Sequence, residues 1–229
     1  MARIILIETS TALCSAALME DGRITAYRED ADRAHAARLA PMIDSILSEK
    51  GLSVRDCDAV GVSMGPGSYT GLRVGVSTAK GLCFGAGIPL LATGSLDTLV
   101  WTAIEGTMVP EGCRYIIPMI DARRMEVYTA VFGPDGRQLG EVEPKVIDAG
   151  SFAAELSEGP VLFIGDGAQK CREVLTSPNA HFVQICPDAR GMAAPVSQAY
   201  NEKRFKDVAY FEPFYLKDFV ATVSRKKLF

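Results

Sequence analysis

The chain has 229 residues, of which 48% are hydrophobic, and it carries a formal net charge of -4. This composition supports one large core or two small ones, and it excludes a disordered or collagen-like chain. The apolar run at residues 4–7 is too short for a signal peptide, and no stretch approaches a membrane span. We therefore expect a cytoplasmic protein without a membrane partner.

Charge and cysteine spacing exclude two further classes of function. Asp and Glu number 28 and Lys and Arg number 24, whereas tight nucleic-acid binding relies on cations that displace phosphate counterions. We therefore expect no tight RNA binding by this chain alone, and we interpret the basic cluster at residues 225–227 as a solvated tail. The six cysteines contain no Cys-x-x-Cys pair, which predicts small buried side chains rather than a metal site.

The first half of the chain predicts three antiparallel strands followed by alternating helices and strands. Asp21-Gly22 suits the positive φ angles of a tight hairpin between the second and third strands. Pro41 is expected to kink the first helix or to begin its regular part. The predicted strands span residues 3–9, 15–19, 23–29, 59–64 and 89–92, and the predicted helices span residues 34–50, 70–85 and 95–104.

The second half repeats this order. Its predicted strands span residues 115–120, 126–132, 138–146, 161–164 and 182–185, and its predicted helices span residues 152–157, 169–175 and 192–203. The repetition predicts two duplicated lobes that face each other across a cleft, residues 1–105 and residues 106–229. The actin-like ATPases and sugar kinases, which share the ASKHA or ribonuclease H-like fold, have this same α/β order of elements. This analogy indicates the architecture of the chain and not its activity.

Nucleotide-binding proteins of that fold carry an acidic residue followed by glycine in the first turn of each lobe. Here the two turns read Glu8-Thr9-Ser10-Thr11 and Asp121-Ala122-Arg123-Arg124, so each keeps a carboxylate and neither keeps the glycine. The hydroxyls of Thr9, Ser10 and Thr11 are candidate contacts for an anion or a nucleotide. The alternative is that they only cap the turn.

A glycine-rich segment, residues 65–71, joins a predicted strand to a predicted helix. It lacks the Lys-Ser/Thr pair of a Walker loop, and its glycines do not follow the dinucleotide-binding spacing, so the sequence argues against a phosphate loop. In the helix that follows, Gly71, Gly75 and Ala79 recur every fourth residue and predict a flat stripe. This stripe serves either internal packing or the close approach of a partner helix.

The sequence predicts no complete catalytic site. His35 and His181 are the only histidines, neither belongs to a nucleophile motif, and no His pair has the spacing of a zinc or iron site. We interpret both as surface or structural histidines.

Three segments, residues 7–11, residues 65–75 continuing through 79–82, and residues 121–128, closely resemble the TsaB (YeaZ) family. The resemblance extends to residues 165–168 and 213–217 and is weakest at residues 177–209. Two residues differ from those usual in the family but carry the same charge. Glu8 stands where the family usually has Asp, and Lys217 stands where Arg is common.

The resemblance implies a role in making threonylcarbamoyladenosine at the adenosine next to the anticodon of tRNAs that read codons beginning with A. It implies a non-catalytic scaffold that pairs with a catalytic TsaD-type subunit and works with a TsaE-type ATPase. The chain would then be no enzyme on its own and would reach tRNA only indirectly. It would hold no cofactor, with ATP or ADP as candidates only at the interface of the complex.

The resemblance also implies that residues 34–50 and 70–85 form the pairing surface, and that the chain alone forms a homodimer through it. The candidate interface residues are Ala37, Pro41, Gly71, Arg73, Gly75 and Ala79. Two other hypotheses remain open. One is an autonomous, protease-like hydrolase that uses Ser68 or a cysteine with one of the two histidines, and the other is a nucleotide sensor.

Overall fold

The computed structural model describes residues 2–32 and 34–216, so Lys217 and the basic cluster at residues 225–227 lie outside the described residues. The strands are β1 (Arg3–Glu8), β2 (Cys14–Glu20), β3 (Arg23–Asp30), β4 (Ala59–Ser63), β5 (Leu90–Thr93), β6 (Tyr115–Asp121), β7 (Glu126–Thr129), β8 (Glu143–Val146), β9 (Val161–Ile164) and β10 (Ala180–Val183). The helices are α1 (His35–Glu49), α2 (Tyr69–Ala86), α3 (Ser95–Glu105), α4 (Ala153–Glu158), α5 (Ala168–Cys171) and α6 (Ala193–Asn201), with short 3₁₀ helices at Val54–Asp56 and Ala189–Met192.

The strands form two five-stranded sheets that share one connectivity. The first sheet has the order β3-β2-β1-β4-β5, and the second, read in the same sense, has the order β8-β7-β6-β9-β10. β1 is antiparallel to β2 and parallel to β4, and β6 is antiparallel to β7 and parallel to β9. The predicted duplication is therefore confirmed at the level of topology.

The unbroken apolar run of β1 reflects burial on both faces of the first sheet. Ile5 and Ile7 pack in the cluster that also contains the buried faces of α1 and α2, whereas Ile4 and Leu6 pack with the buried residues of α6. Such two-sided burial is typical of central strands in α/β sheets. At the β2–β3 hairpin, Asp21 and Gly22 have φ angles of 48° and 78°, as the sequence predicts.

The expected division at residue 105 differs from the observed packing, because helices are exchanged between the lobes. α3 packs in the core of the second sheet, where Leu99 and Val100 lie against Ile116 and Leu162. In return, the 3₁₀ helix Ala189–Met192 and α6 pack on the first sheet. Residues 1–105 and 106–229 are therefore not two separate packing units, since each sheet is covered by a helix from the other half of the chain.

Several elements of the second half are shorter than predicted, among them β7, which ends at Thr129 rather than at residue 132. The strand expected at residues 138–146 is reduced to β8, because the amides of Leu139 and Gly140 both bond to the Val131 carbonyl and interrupt the ladder. The helix expected at residues 169–175 ends as α5 at Cys171.

The segment at residues 204–216, here called the C-terminal strap, returns to the first lobe. The Lys206 amide donates to the Leu90 carbonyl at 2.8 Å, and the Phe214 amide donates to the Met64 carbonyl at 2.7 Å. Lys80 of α2 donates to the carbonyls of Ala209 and Phe211, both at 3.0 Å. The strap is therefore fixed along α2. Over residues 2–32 and 34–216, no helix is long and apolar enough to cross a membrane.

α2 passes the turn after β1 so closely that two of its positions have room only for glycine. A Cβ built at Gly71 would overlap the Thr9 carbonyl oxygen, and a Cβ built at Gly75 would overlap Thr9 Oγ1. Ala79 is fully buried in the first core. The stripe Gly71-Gly75-Ala79 therefore packs within the chain in this conformation, as the first of the two alternatives has it, and a contact of these three residues with a partner stays a prediction.

Replacing Gly75 with Ala should lower the free energy of unfolding by about 1–3 kcal/mol, because the added methyl group displaces Thr9. Gly81 is a matched control in the same helix, since a Cβ there meets nothing within 4 Å. Replacing Gly81 with Ala should raise the free energy of unfolding by about 0.5–1 kcal/mol. Urea denaturation measures both values, and equal effects at the two positions would contradict the close approach of α2 to Thr9.

Candidate functional site

A cavity of about 1040 Å³ lies between the lobes, where the turn after β1 faces the turn after β6. The first turn of α2 and the end of the C-terminal strap complete its walls. The lining residues that carry polar or aromatic side chains are Ser10, Thr11, His35, Ser68, Tyr69, Thr70, Asp121, Arg123, Arg124, Glu126, Tyr128, Asp166, Phe214 and Tyr215. The fold thus brings both first turns predicted from the sequence to one site.

The three candidate hydroxyls of the first turn lie below the cavity surface. Thr9 and Ser10 are fully buried and Thr11 is 5% exposed, and none of their hydroxyl oxygens has a hydrogen-bond partner of normal geometry among the described residues. Thr9 Oγ1 lies against Gly75, and the Ser10 hydroxyl lies near the Glu8 carboxyl. In this conformation the three hydroxyls are inaccessible to a ligand in the cavity, so the predicted anion contact has no accessible donor there.

Glu8 is fully buried beneath this turn. Its Oε1 accepts a hydrogen bond from the Ser10 amide at 2.6 Å, while its Oε2 has no partner among the described residues. Burial raises the pKa of Glu8 to about 7, against the opposing effect of the hydrogen bonds from Ser10. The Glu8 carboxyl therefore accepts a hydrogen bond from a backbone N–H of the turn and keeps its proton at pH values below about 7.

The second turn is closed by a different side chain. Lys170 of α5 forms an ion pair with Asp121 and donates to the carbonyls of Arg124 and Glu126, both at 2.7 Å. Asp121 Oδ1 also accepts the Arg123 amide at 3.0 Å. The ammonium group of Lys170 thus fills the inside of the turn with a positive charge from the same chain.

The glycine-rich segment is not a phosphate cradle in this structure. The Ser68 amide donates to the Ser10 carbonyl at 2.6 Å, and the Ser68 side chain caps α2 by accepting the Gly71 amide at 3.2 Å. A Cβ at Gly67 would overlap the Ser10 carbonyl oxygen. The glycines therefore allow close contact with the turn after β1, as the unfavourable spacing of the motif indicated.

The exposed sides of α1 and α2 present many small and apolar residues beside a few charged ones, among them Asp44 of α1. Ala37 and Pro41, both predicted for the interface, are exposed, and Pro41 lies inside α1 rather than at its start. Phe84 is 85% exposed on α2. We call this area the α1–α2 surface and define it by Ala36, Ala37, Ala40, Pro41, Ser77, Gly81, Phe84 and Gly85, all of them at least partly open to solvent.

Several charges near the α1–α2 surface are engaged within the chain, whereas the exposed Asp44 of α1 makes no ion pair among the described residues. Arg38 pairs with Asp30, and Glu49 pairs with Arg28 on β3. Arg73, a predicted interface residue, lies 4.1 Å from the centre of the Tyr69 ring and donates to the Tyr215 hydroxyl at 3.3 Å. Arg73 therefore anchors the C-terminal strap. The outward row formed by Ser77, Gly81 and Gly85 repeats the four-residue spacing of the buried stripe and was missed from the sequence.

Among the residues that the structure describes, neither histidine is hydrogen-bonded to a serine or a cysteine. His35 Nε2 bonds to the Thr11 carbonyl at 2.9 Å, and His181 lies on the edge strand β10 of the second sheet. Within the ranges 2–32 and 34–216, no group of three or more His, Cys, Asp or Glu side chains is arranged to hold a metal ion.

A family model described as "TsaD: tRNA N6-adenosine threonylcarbamoyltransferase" matches residues 26–224. The chain is 31% identical to the "tRNA threonylcarbamoyladenosine biosynthesis protein TsaB" of Escherichia coli (strain K12) over 96% of each chain. It is 32% identical to the protein of the same name from Bacillus subtilis (strain 168) over 93% of each chain. The chain belongs to the TsaB (YeaZ) family.

Solved structures agree with this placement in the TsaB family. YeaZ from Pseudomonas aeruginosa has a TM-score of 0.82 and 27% identity, covering 94% of this chain and 100% of that one. The activator of the 2-hydroxyisocaproyl-CoA dehydratase from Clostridium difficile shares only the fold, with a TM-score of 0.51 and 11% identity over 88% of this chain and 96% of that one. The predicted α/β fold of the actin-like ATPase and sugar-kinase type is confirmed.

Replacing Glu8 with Gln should flatten the pH dependence of stability. The folded state keeps the Glu8 proton up to about pH 7, whereas the unfolded chain releases it near its ordinary value of 4.5. The stability of the parent chain therefore falls as the pH rises from 4.5 to 7, by a contribution on the order of 3 kcal/mol that the Gln variant does not lose.

Urea denaturation at a series of pH values between 4.5 and 8 measures this difference. Glu173→Gln is the control, because Glu173 is exposed and its replacement should leave the profile parallel to that of the parent. A parallel profile for Glu8→Gln would contradict the buried, protonated state of Glu8.

Proposed function

We propose that this chain is a non-catalytic scaffold subunit of the assembly that installs the threonylcarbamoyl group on tRNA. In this proposal it pairs with a TsaD-type catalytic subunit, works with a TsaE-type ATPase, and acts in the cytosol on the adenosine next to the anticodon of tRNAs that read codons beginning with A. It reaches tRNA through the complex. Membership of the TsaB family, whose relatives are named for threonylcarbamoyladenosine biosynthesis, supports this assignment.

The observation that best supports a non-catalytic role is that side chains of the same chain close both the turn after β1 and the turn after β6. A nucleotide site of this fold needs turn donors that face the ligand. Here the Glu8 carboxyl takes the Ser10 amide, and the Lys170 ammonium group fills the turn at Asp121. The groups that would hold phosphate and metal are therefore committed within the chain.

The α1–α2 surface supports pairing. α1 and α2 contact each other over the same face of the first sheet, and their exposed sides carry small residues together with the exposed ring of Phe84. Flat helix faces with small residues permit the close approach of partner helices, and an exposed aromatic side chain is a typical anchor at such contacts. The same area would serve a homodimer when the catalytic subunit is absent.

The assembly role is tested by reconstitution. The TsaD-type and TsaE-type proteins, tRNA and the threonylcarbamoyl adenylate are combined with and without this chain, and modified adenosine is measured. We expect modification to depend on the chain, since the proposed pairing activates the catalytic subunit. Equal modification in its absence would overturn the proposed function.

Replacing Gly81 with Trp should abolish pairing with the TsaD-type subunit while the chain stays folded. A side chain at Gly81 meets nothing within 4 Å in the monomer, so the Trp would project from the α1–α2 surface and prevent close helix contact. Phe84→Ala should weaken pairing by about tenfold or more through loss of an apolar anchor. Sedimentation and calorimetric titration measure pairing of both variants.

The control for these variants is Ala154→Trp, which places the same ring on an exposed position of α4 in the second lobe. Its pairing should equal that of the parent chain. Gly75→Trp is unsuitable for this purpose, because a side chain at Gly75 collides with Thr9 and tests folding instead. Unchanged pairing of Gly81→Trp would show that the partner binds elsewhere.

A further inference from the structure

Strand β10 is an edge of the second sheet. It pairs with β9 in parallel, and no described strand lies on its other side. The β5 edge of the first sheet is covered by the C-terminal strap through Lys206 and Leu90, β8 contains Pro144 and Lys145, and β3 carries charged residues along its length. Covering segments, prolines and charged side chains protect an edge strand from pairing with another chain. β10 contains no Lys, Arg, Asp, Glu or Pro, so it lacks these forms of protection.

The backbone of β10 presents hydrogen-bonding groups at this edge. The Gly165 amide donates to the Val183 carbonyl at 3.2 Å, so Val183 directs its backbone groups toward β9. Successive residues of a strand direct these groups to opposite sides, and Phe182 and Gln184 therefore direct theirs to the free edge. On that side, the amides of Phe182 and Gln184 and the carbonyls of Ala180 and Phe182 have no backbone partner among the described residues.

A groove of about 530 Å³ accompanies the free edge. All four residues of β10 line it, together with the buried side chains of Leu162 and Leu175. Met108 and Pro110, which precede β6, form another part of its wall. An added strand gains affinity from main-chain hydrogen bonds and specificity from pockets that take its alternate side chains. The edge of β10 offers both the hydrogen-bonding groups and an apolar groove.

The charge at this groove is positive. Arg172, which follows α5, lines the groove, is exposed and makes no ion pair within residues 2–32 and 34–216. His181 also lines the groove and is exposed. Glu173 is exposed but does not line the groove, and no Asp or Glu of the described part of the chain does so. An unpaired arginine favours a partner with a carboxylate, because such hydrogen bonds are assisted by charge.

The same charge argues against an occupant with the sequence of this chain. A second copy paired edge to edge would bring two copies of Arg172 into one interface, and like charges at a contact are unfavourable. The carboxyl-terminal end of the chain is basic at residues 225–227 and would meet the same repulsion. An acidic segment of another protein fits the groove better than either of these.

We propose that β10 binds an extended acidic peptide segment of a partner protein, which adds a strand to the second sheet. The peptide backbone bonds to Phe182 and Gln184, its apolar side chains contact Leu162 and Leu175, and a carboxylate pairs with Arg172. The groove shares no lining residue with the interlobe cavity. The proposal does not depend on pairing through the α1–α2 surface.

Peptide titration of the full chain tests this proposal. The probes are fluorescein-labelled peptides of about eight residues in which Glu alternates with Val, Leu or Phe, and matched peptides in which Lys replaces Glu. We expect fluorescence anisotropy to show binding of at least one Glu peptide below about 1 mM, and binding of its Lys counterpart that is weaker by about tenfold or more. Failure of every Glu peptide, or equal binding of the Lys peptides, would overturn the proposal.

Strand addition is distinguished from simple charge attraction by two measurements. N-methylation of the Glu peptide at alternate residues removes its backbone donors and should weaken binding by about tenfold or more. Hydrogen exchange of the Phe182 and Gln184 amides should slow when the peptide is bound, since both amides gain acceptors. Unchanged exchange at both amides would contradict the added strand.

Arg172→Glu should weaken binding of the Glu peptide by about tenfold or more and strengthen binding of the Lys peptide, because the charge of the groove is reversed. Arg55→Glu is the matched control, at an exposed arginine that does not line the groove, and it should bind as the parent chain does. Thermal melting checks that both variants are folded. Unchanged binding of the Glu peptide by Arg172→Glu would overturn the role of this arginine.

Gln184→Pro removes an outward amide at an exposed position directly after β10, where proline is tolerated because the amide faces away from the sheet. It should weaken binding of the Glu peptide, and Arg172→Glu decides alone if this variant does not fold. Sedimentation of the parent chain and of Gln184→Pro tests the other occupant. Self-association that Gln184→Pro abolishes would identify a second copy at β10 and overturn the proposal of an acidic partner.

Discussion

The close approach of α2 to the turn after β1 is the contact on which the rest of the structure depends. Because Gly71 and Gly75 have no Cβ, the helix lies directly on Thr9 and covers the turn. The hydroxyls of this turn and the Glu8 carboxyl are thereby removed from solvent. A phosphate-binding turn requires the opposite arrangement, with its donors directed toward the ligand. One steric contact therefore converts a potential ligand site into part of the core.

Covering polar groups in this way has an energetic consequence. Burial of a charged carboxyl is expensive, so Glu8 retains its proton and uses one oxygen to satisfy the Ser10 amide. The second lobe reaches the same closed state by different chemistry, because there a lysine supplies the charge that balances Asp121. The turn after β1 is thus closed by the carboxyl group of Glu8, and the turn after β6 is closed by the ammonium group of Lys170. Because the two closures use different chemistry, they are independent of each other, and they are the main physical support for the proposed non-catalytic role.

The sequence predicts the parts of this structure that depend on local pattern, including the hairpin at Asp21-Gly22, the order of strands and the duplication. It does not predict which small residues of α2 face inward, because two rows share the same spacing, Gly71-Gly75-Ala79 and Ser77-Gly81-Gly85. Only the contact with Thr9, about 60 residues earlier in the chain, shows that the first row faces inward and the second row faces outward. Likewise, the exchange of α3 and α6 between the sheets and the closure by Lys170 depend on contacts distant in sequence, which periodicity does not encode.

α2 borders both the α1–α2 surface and the interlobe cavity. Its outer side forms part of the α1–α2 surface, its first turn borders the interlobe cavity, and Lys80 and Arg73 hold the C-terminal strap along it. α2 cannot shift without separating from Thr9 and opening the core beneath it. The position of α2 is therefore set by its contact with Thr9, and the elements that border this helix, including the C-terminal strap, are arranged around that one contact.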